Sequence, residues 1–257
     1  MLSRSEERLI LALRRRKERV TRRLFLAEGV RVAEDLVSAP IDLSFAVVSP
    51  TLEDTTRGQA LMAVLRERVP VHQITDAALR KLAATEQPQG VLVVAHEPTT
   101  TLGQINIERV CRILVCDAVQ DPGNLGTLIR SAAAFALAGV VLLPGSVDPW
   151  NAKVVRSAAG ASFHLPLVSV SARELADWLH QHHFQAWGAD AQGEPFDPAL
   201  APERVALVVG NEGAGLRAET QPLIDRTVQI EMPGHTESLN VGVAAGILMY
   251  LLSERST

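Results

Sequence analysis

The chain is predicted to be an α/β protein whose second half is built on a parallel sheet. Short apolar runs alternate with segments of helical period through almost the whole sequence. Several runs, such as GVVLL and RVALVVG, are apolar from end to end. Strands of that kind are covered on both faces, as in parallel sheets sandwiched by helices. The stretch EPTTTLGQIN interrupts the alternation and reads as a linker. The expected organisation is a basic N-terminal helix over 1–23, a smaller α/β domain over 24–97, a linker over 98–107 and a larger α/β domain over 108–257.

In the first domain LFLAEGVRVAEDLV reads as a helix, LSFAVVS as a strand and GQALMAVLRERV as a helix. The strand VHQI, the helix DAALRKLAAT and the strand GVLVVAH follow. The second series opens with the strand RILVCDAV and passes through QDPGNLG to the helix TLIRSAAAFALA and the strand GVVLL. Then come NAKVVRSAAG, HLPLVSV, the helix ARELADWLHQHH and the strand QAWGAD. The strand RVALVVG, the loop NEGAGL, the short strand TVQIEM and an apolar closing helix complete it.

Composition narrows the classes. With 257 residues, 47% hydrophobic and 21% charged, the chain can bury a core that needs no metal or disulfide staple. Cys111 and Cys116 sit in an apolar run and are expected as buried, reduced thiols of a cytoplasmic protein. The N-terminus is charged from Arg4 onward, unlike a secretory signal, and no stretch is apolar enough to span a membrane. The net charge of −4 hides a basic start, where residues 1–23 hold nine Lys and Arg against three Glu. That segment reads either as a solvated helix face or as a phosphate-contacting element. A membrane-surface helix fits less well, because the apolar stripe is thin and has no aromatic anchor.

Ligands of parallel α/β sheets bind at the carboxyl ends of strands. Three loops lie there. The first, DPGNLGTLIR, enters a helix whose N-terminal amides can face an anion, with Asn124 in the turn and Arg130 on an otherwise apolar helix. Arg130 is either a paired structural residue or a planar fork for phosphate or carboxylate. The second, VVGNEGAGL, holds Glu212 among Gly210, Gly213 and Gly215, either to cap a short helix at Leu216 or to meet a ligand. The third, MPGHTESLNVGVAAG, crowds Ser238 and Asn240 before the final helix, which both can cap, although Asn240 falls inside the helix by pattern. None matches a dinucleotide or Walker fingerprint. The HQHH run at His180, His182 and His183 lacks a ligand cluster, so no metal is expected.

Taken together, DPGNLGTLIRSAAAF, VVGNEGAGL and IEMPGHTESLNVGVAAGILMY resemble the three ordered motifs of the SpoU (TrmH-type) RNA 2′-O-ribose methyltransferases of the SPOUT superfamily. The similarity spans residues 108 to 253 and keeps the spacing between motifs. LFLAEGVRVAEDLV through PQGVLVVA is similar to the family's N-terminal substrate-binding domain, which resembles ribosomal protein L30e in fold. The resemblance implies a C-terminal domain with a deep trefoil knot, a feature that pattern reading does not propose. It also implies S-adenosyl-L-methionine as cofactor, at Gly210, Ile230 and Leu239 with Met232 and Gly234 nearby, and a homodimer through the knotted domain. The family's conserved polar set falls on Asn124, Arg130, Glu212, Ser238 and Asn240. Gly242 stands where many relatives carry Ser, a departure expected to affect a helix contact more than chemistry.

The implied activity is an RNA 2′-O-methyltransferase, on 23S ribosomal RNA in preference to tRNA by family analogy. Arg130 is expected to hold the adjoining phosphate and favour the developing alkoxide, or to accept the proton if its pKa were lowered. Asn124 would orient Arg130 or the ribose, and Glu212 would fix the loop or hold the substrate. Ser238 and Asn240 would shape the pocket by hydrogen bonds, with His235 as a pocket wall. Aromatic residues are only 4% of the chain, which disfavours base-stacking platforms and points to RNA shape and phosphate recognition. Arg14, Arg15, Arg16, Arg22, Arg23, Glu28 and Arg31 are the RNA-facing candidates of the N-terminal part, with Lys153 and Arg156 on the catalytic part. The alternatives are a tRNA 2′-O-methyltransferase and a catalytically weak RNA-binding or ribosome-assembly factor on the same fold.

Overall fold

A computed structural model of the chain describes residues 2–234 and 238–253. In chain order the elements are α1 (Arg4–Ala12), α2 (Arg16–Arg22), β1 (Leu24–Glu28), α3 (Val30–Ser38), β2 (Leu43–Val48), α4 (Thr56–Arg68), β3 (Val71–Gln73), α5 (Asp76–Leu82) and β4 (Val91–His96). They continue with β5 (Cys111–Cys116), α6 (Pro122–Ala134), β6 (Gly139–Leu142), α7 (Ala152–Ser157), β7 (Leu167–Ser169) and α8 (Ala172–Gln181). The last are β8 (Gln185–Pro195), β9 (Arg204–Val209), β10 (Arg226–Gln229) and α9 (Val241–Ser253).

The chain divides into two compact units. The first comprises residues 1–99 with 148–164, the second 100–147 with 165–257. Residues 148–164 were expected in the second domain. They group with the first because Trp150 and Phe163 pack on Phe25, with ring centroids 4.7 and 6.0 Å away. A buried ion pair, Arg19 Nη2 to Asp148 Oδ2 at 2.6 Å, fastens the same segment.

The first unit holds a mixed sheet in the order β1-β4-β2-β3, antiparallel except for the β2–β3 pair. Ile10, Leu13, Leu26, Phe45, Leu79 and Val94 share one of its cores. Two expectations are corrected here. LFLAEGVRVAEDLV is not one helix: Leu24–Glu28 pairs with β4, and α3 starts only at Val30. Gly29 separates them at φ +102°, a conformation that breaks a helix and that glycine tolerates. Nor do residues 1–23 form one helix. The break lies at Leu13 to Arg15, where Arg19 Nη1 donates to the carbonyls of Leu13 (2.8 Å) and Arg14 (3.0 Å). Those carbonyls have lost their helical partners, and the guanidinium replaces them.

The second unit is an open sheet ordered β10-β8-β9-β5-β6-β7, and every pairing is parallel, as the apolar runs predict. Val115, Val141, Val168, Leu175, Trp178, Phe184 and Val208 form a core on one face. Cys111 and Cys116 are free, buried thiols, both pushed up in pKa by burial. Among the described residues no group of His, Cys, Asp and Glu could hold a metal, and no helix is long and apolar enough to cross a membrane.

Candidate functional site

The neighbouring strands β5 and β9 end side by side, Cys116 opposite Val209, so the loops that follow them are brought together. After β5, Asp121 caps α6 by accepting from the Asn124 amide at 2.8 Å, and Pro122 occupies the first turn. After β9, Asn211 folds the glycine-rich loop. Its Oδ1 accepts from the amides of Gly213 and Ala214, both at 3.0 Å, and its backbone pairs with Gly215. That compact turn aims Glu212 back at the first loop. No helix starts at Leu216, so capping is not its task.

A relay of side chains ties the three loops. Glu212 Oε1 accepts from Asn124 Nδ2 at 3.0 Å and from the Asp121 amide at 3.2 Å. Asn124 Oδ1 accepts in turn from Asn240 Nδ2 at 2.9 Å, and Asn240 Oδ1 accepts from the Gly242 amide at 2.9 Å. Each amide donates with its nitrogen and accepts with its oxygen, so both are satisfied in one orientation. Asn240 also accepts the first helical bond of α9, from Ala244 at 2.9 Å. It therefore caps α9 from outside, rather than sitting within the helix as its pattern suggested, and the propensity cost does not arise.

Burial pushes the Glu212 carboxyl upward. Hydrogen bonds from Asn124, its own amide, Asp121 and Gln120 outweigh that and hold it below the ordinary carboxylate range. Glu212 is an anion whose acceptor sites are taken up by the protein, which makes it a clamp rather than a proton shuttle.

Beside the relay lies a cavity of about 460 Å³ at the carboxyl ends of β9 and β10 and against the middle of β8. Val209, Gly210, Ile230, Met232, Leu239, Ala244 and Leu248 give it apolar and backbone walls, with Glu212, Ser238 and Asn240 among its polar lining. Of the expected cofactor residues, Gly210, Ile230, Met232 and Leu239 line it; Gly234 does not. Asn124 reaches it only through its two bonded partners. Ser238 makes no hydrogen bond among the described residues. His235 lies outside those residues. Arg130 is exposed on α6, outside the lining, and makes no hydrogen bond or ion pair among the described residues.

Sequence reasoning missed Asn211 and the lining residues Ala189, Asp190 and Ala191 of β8. The strand-end rule that picked three loops applies equally to QAWGAD, and would have included them. It also missed Asp117, wholly buried after β5, which accepts from Arg217 Nε at 2.6 Å and from the Arg217 amide at 2.8 Å. That pair moors the end of the glycine-rich loop.

The first unit corrects one RNA-facing assignment. Glu28 is 3% exposed, and its carboxylate accepts from the amides of Ala84 (2.7 Å) and Thr85 (3.1 Å) and from the Thr85 hydroxyl. It fastens a loop and has no face toward solvent. Arg14 is exposed, but its Nη2 donates to the carbonyls of Lys81 and Ala83 at the end of α5. Arg22 pairs with Glu18 at 3.0 Å, while Arg15, Arg16, Arg23, Arg31 and Lys153 are exposed cations. Arg156 is half-buried, and its Nη1 has no hydrogen-bond partner among the described residues.

A parallel α/β domain that gathers strand-end loops around an apolar cavity with a polar rim is a binder of a mid-sized organic ligand. Comparison with known proteins makes the class specific: the chain belongs to the SpoU rRNA methylase family, whose model matches residues 112–250, and the model of an MRM3-like substrate-binding domain matches residues 8–93. It is 36% identical over 242 residues to the 23S rRNA (guanosine(2553)-2′-O)-methyltransferase RlmP of Bacillus subtilis, covering 93% of this chain and 92% of that one. It is 31% identical over 225 residues to the 23S rRNA (guanosine-2′-O-)-methyltransferase RlmB of Bordetella pertussis, covering 85% and 92% respectively. The crystal structure of the SpoU methyltransferase AviRb from Streptomyces viridochromogenes in complex with AdoMet superposes with a TM-score of 0.90 at 26% identity, over 99% of this chain and 98% of that one.

Proposed function

We propose that this chain is an S-adenosylmethionine-dependent RNA 2′-O-ribose methyltransferase acting on 23S ribosomal RNA in the cytoplasm. The observation that carries the reading is the Glu212–Asn124–Asn240 relay, which joins all three family motifs at the rim of one cavity. The cavity fits the cofactor: its volume, apolar walls and backbone edges suit an adenine, and carboxylates at its rim suit a cationic ligand. When bound, S-adenosylmethionine supplies an electrophilic methyl group on a sulfonium.

The chain's own residues then have to align a ribose 2′-hydroxyl and ease loss of its proton. Glu212 and Asn124 hold the loops in place, and Asn240 sets the start of α9 beside the cavity. Ser238 offers the cavity wall a hydroxyl that makes no hydrogen bond among the described residues. Arg130, always charged, holds the adjoining phosphate and stabilises the developing alkoxide. It acts at the cofactor site of a second copy, which accounts for its exposure outside the lining of its own cavity. The homodimer is supported by an apolar stripe on α9: Val243, Ile247 and Tyr250 are exposed at helical spacing, with Leu239 just before them.

The second unit is read as a SPOUT domain whose end threads a trefoil knot around this cavity, with Gly234 on the knotted loop. The domain over 24–97 is read as the L30e-like RNA-binding part. Arg14, Arg15, Arg16, Arg22, Arg23 and Arg31, with Lys153 and Arg156, supply the phosphate contacts. Mapping 2′-O-methyl sites in ribosomal and transfer RNA with and without the gene tests the reading. Loss of one methyl in 23S RNA supports it, and loss in tRNA moves the substrate. No loss, with no thermal stabilisation by S-adenosylmethionine, leaves an RNA-binding factor; at about 100 times Kd that stabilisation is about 2.7 kcal/mol.

A further inference from the structure

The pairing of β8 with β10 is interrupted. Thr227 of β10 pairs with Gly188, yet the next residue, Val228, pairs with Glu194. Residues 189–193 therefore leave the ladder as a bulge, and its first three residues line the cavity. The excursion is built in. Asp190 Oδ1 accepts from the Gln192 amide at 2.9 Å, which turns the chain. Gly193 brings it back so closely that a Cβ there would lie 2.7 Å from backbone atoms of Val228. Bulges beside binding sites re-aim side chains.

The acceptors around the cavity are unequal. Glu212 is engaged by the amides of Gln120 and Asp121 and by the side chains of Asn124 and Asn211. Asn240 Oδ1 is engaged by Gly242. Asp190 accepts one bond at Oδ1, and its Oδ2 accepts none among the described residues. Resting on the methyltransferase reading above, we propose that Asp190 is a cofactor-binding residue whose carboxylate accepts hydrogen bonds from the ribose diol of S-adenosylmethionine, presented to the cavity by the 189–193 bulge. A vicinal diol offers two donors side by side, which a carboxylate with an open oxygen meets in a planar, charge-assisted pair.

Calorimetric titration of the full chain tests this with three probes: S-adenosylmethionine, S-adenosylhomocysteine and 5′-methylthioadenosine. All contain the ribose diol, the second lacks the sulfonium charge, and the third also lacks the amino acid. Asp190→Ala is expected to weaken all three by about ten- to a hundredfold, with Asp190→Asn intermediate. Asp190 is exposed, so circular dichroism and the unfolding midpoint should match the parent. Equal affinity of Asp190→Ala and parent overturns the proposal. So does a loss confined to S-adenosylmethionine, which would assign the carboxylate to the sulfonium, or a loss absent only for 5′-methylthioadenosine, which would assign it to the ammonium. Failure of the parent itself to bind any probe counts against the methyltransferase reading, a result distinct from these.

Discussion

The two units use a strand-end glutamate in opposite ways. In the first, Glu28 at the end of β1 is spent within the fold, its oxygens filled by Ala84 and Thr85. Arg19 is likewise sealed between Asp148 and two carbonyls. What this unit offers outward is a set of exposed cations around a closed core. In the second unit, Glu212 at the end of β9 binds neighbouring loops rather than core backbone, and the side chains it recruits stand at the rim of a cavity. The difference comes from topology. Adjacent parallel strands end at one edge, so their loops meet and leave a cleft. In the mixed sheet, antiparallel neighbours send alternate ends away.

On that contrast, the largest effect comes from Arg130, an exposed cation of the second unit. Arg130→Ala should lower methyl transfer by about a thousandfold while cofactor affinity, read by calorimetry, stays close to the parent. Collapse of cofactor affinity would instead make Arg130 part of the cavity's architecture. Next is the sealed charge of the first unit. Asp148→Ala strands Arg19 and should cost about 3 kcal/mol in denaturant unfolding, with the cavity's affinity for S-adenosylmethionine unchanged. A loss below about 0.5 kcal/mol would mean that the pair is already wet.

Asn124→Ala sharpens the comparison by cutting the relay at its centre. Turnover is expected to fall about tenfold or more, with a smaller change in the unfolding midpoint than Asp148→Ala causes. The smallest effect is a pH dependence. The folded pKa of Glu212 is depressed, so its stabilising contribution is present above the unfolded carboxylate range and is lost as pH falls through the lower folded value. The Tm difference between the parent and Glu212→Gln should therefore persist down through the ordinary carboxylate range and close only below it. Closure within that range would show that Asn124 and the backbone amides do not hold the anion.

Much of this was legible in the residues. The runs RILVCDAV, GVVLL and RVALVVG became parallel strands, because an all-apolar strand has to be covered on both faces. The three motif loops converged, because parallel neighbours end together. LFLAEGVRVAEDLV misled, since its helical period is shared by a strand whose alternate residues are both buried, and periodicity does not separate those cases. Asn240 misled by one position, the usual uncertainty of a helix end. Asp190 was within reach of the strand-end rule, had it been applied to QAWGAD; the bulge that carries it to the cavity, set by Gly193 against Val228, has no local pattern to announce it.

By itself the sequence determined most of the strands and helices, and that polar loops would crowd one edge of the second sheet, since period and apolarity are local properties. Only the tertiary structure decided which side chain meets which: Glu212 with Asn124, 88 positions away, Arg19 with Asp148, 129 away, and Glu28 with Thr85, 57 away. A carboxylate becomes a clamp, a buried pin or an open acceptor according to what fills its lone pairs, and that depends on neighbours brought in by the fold.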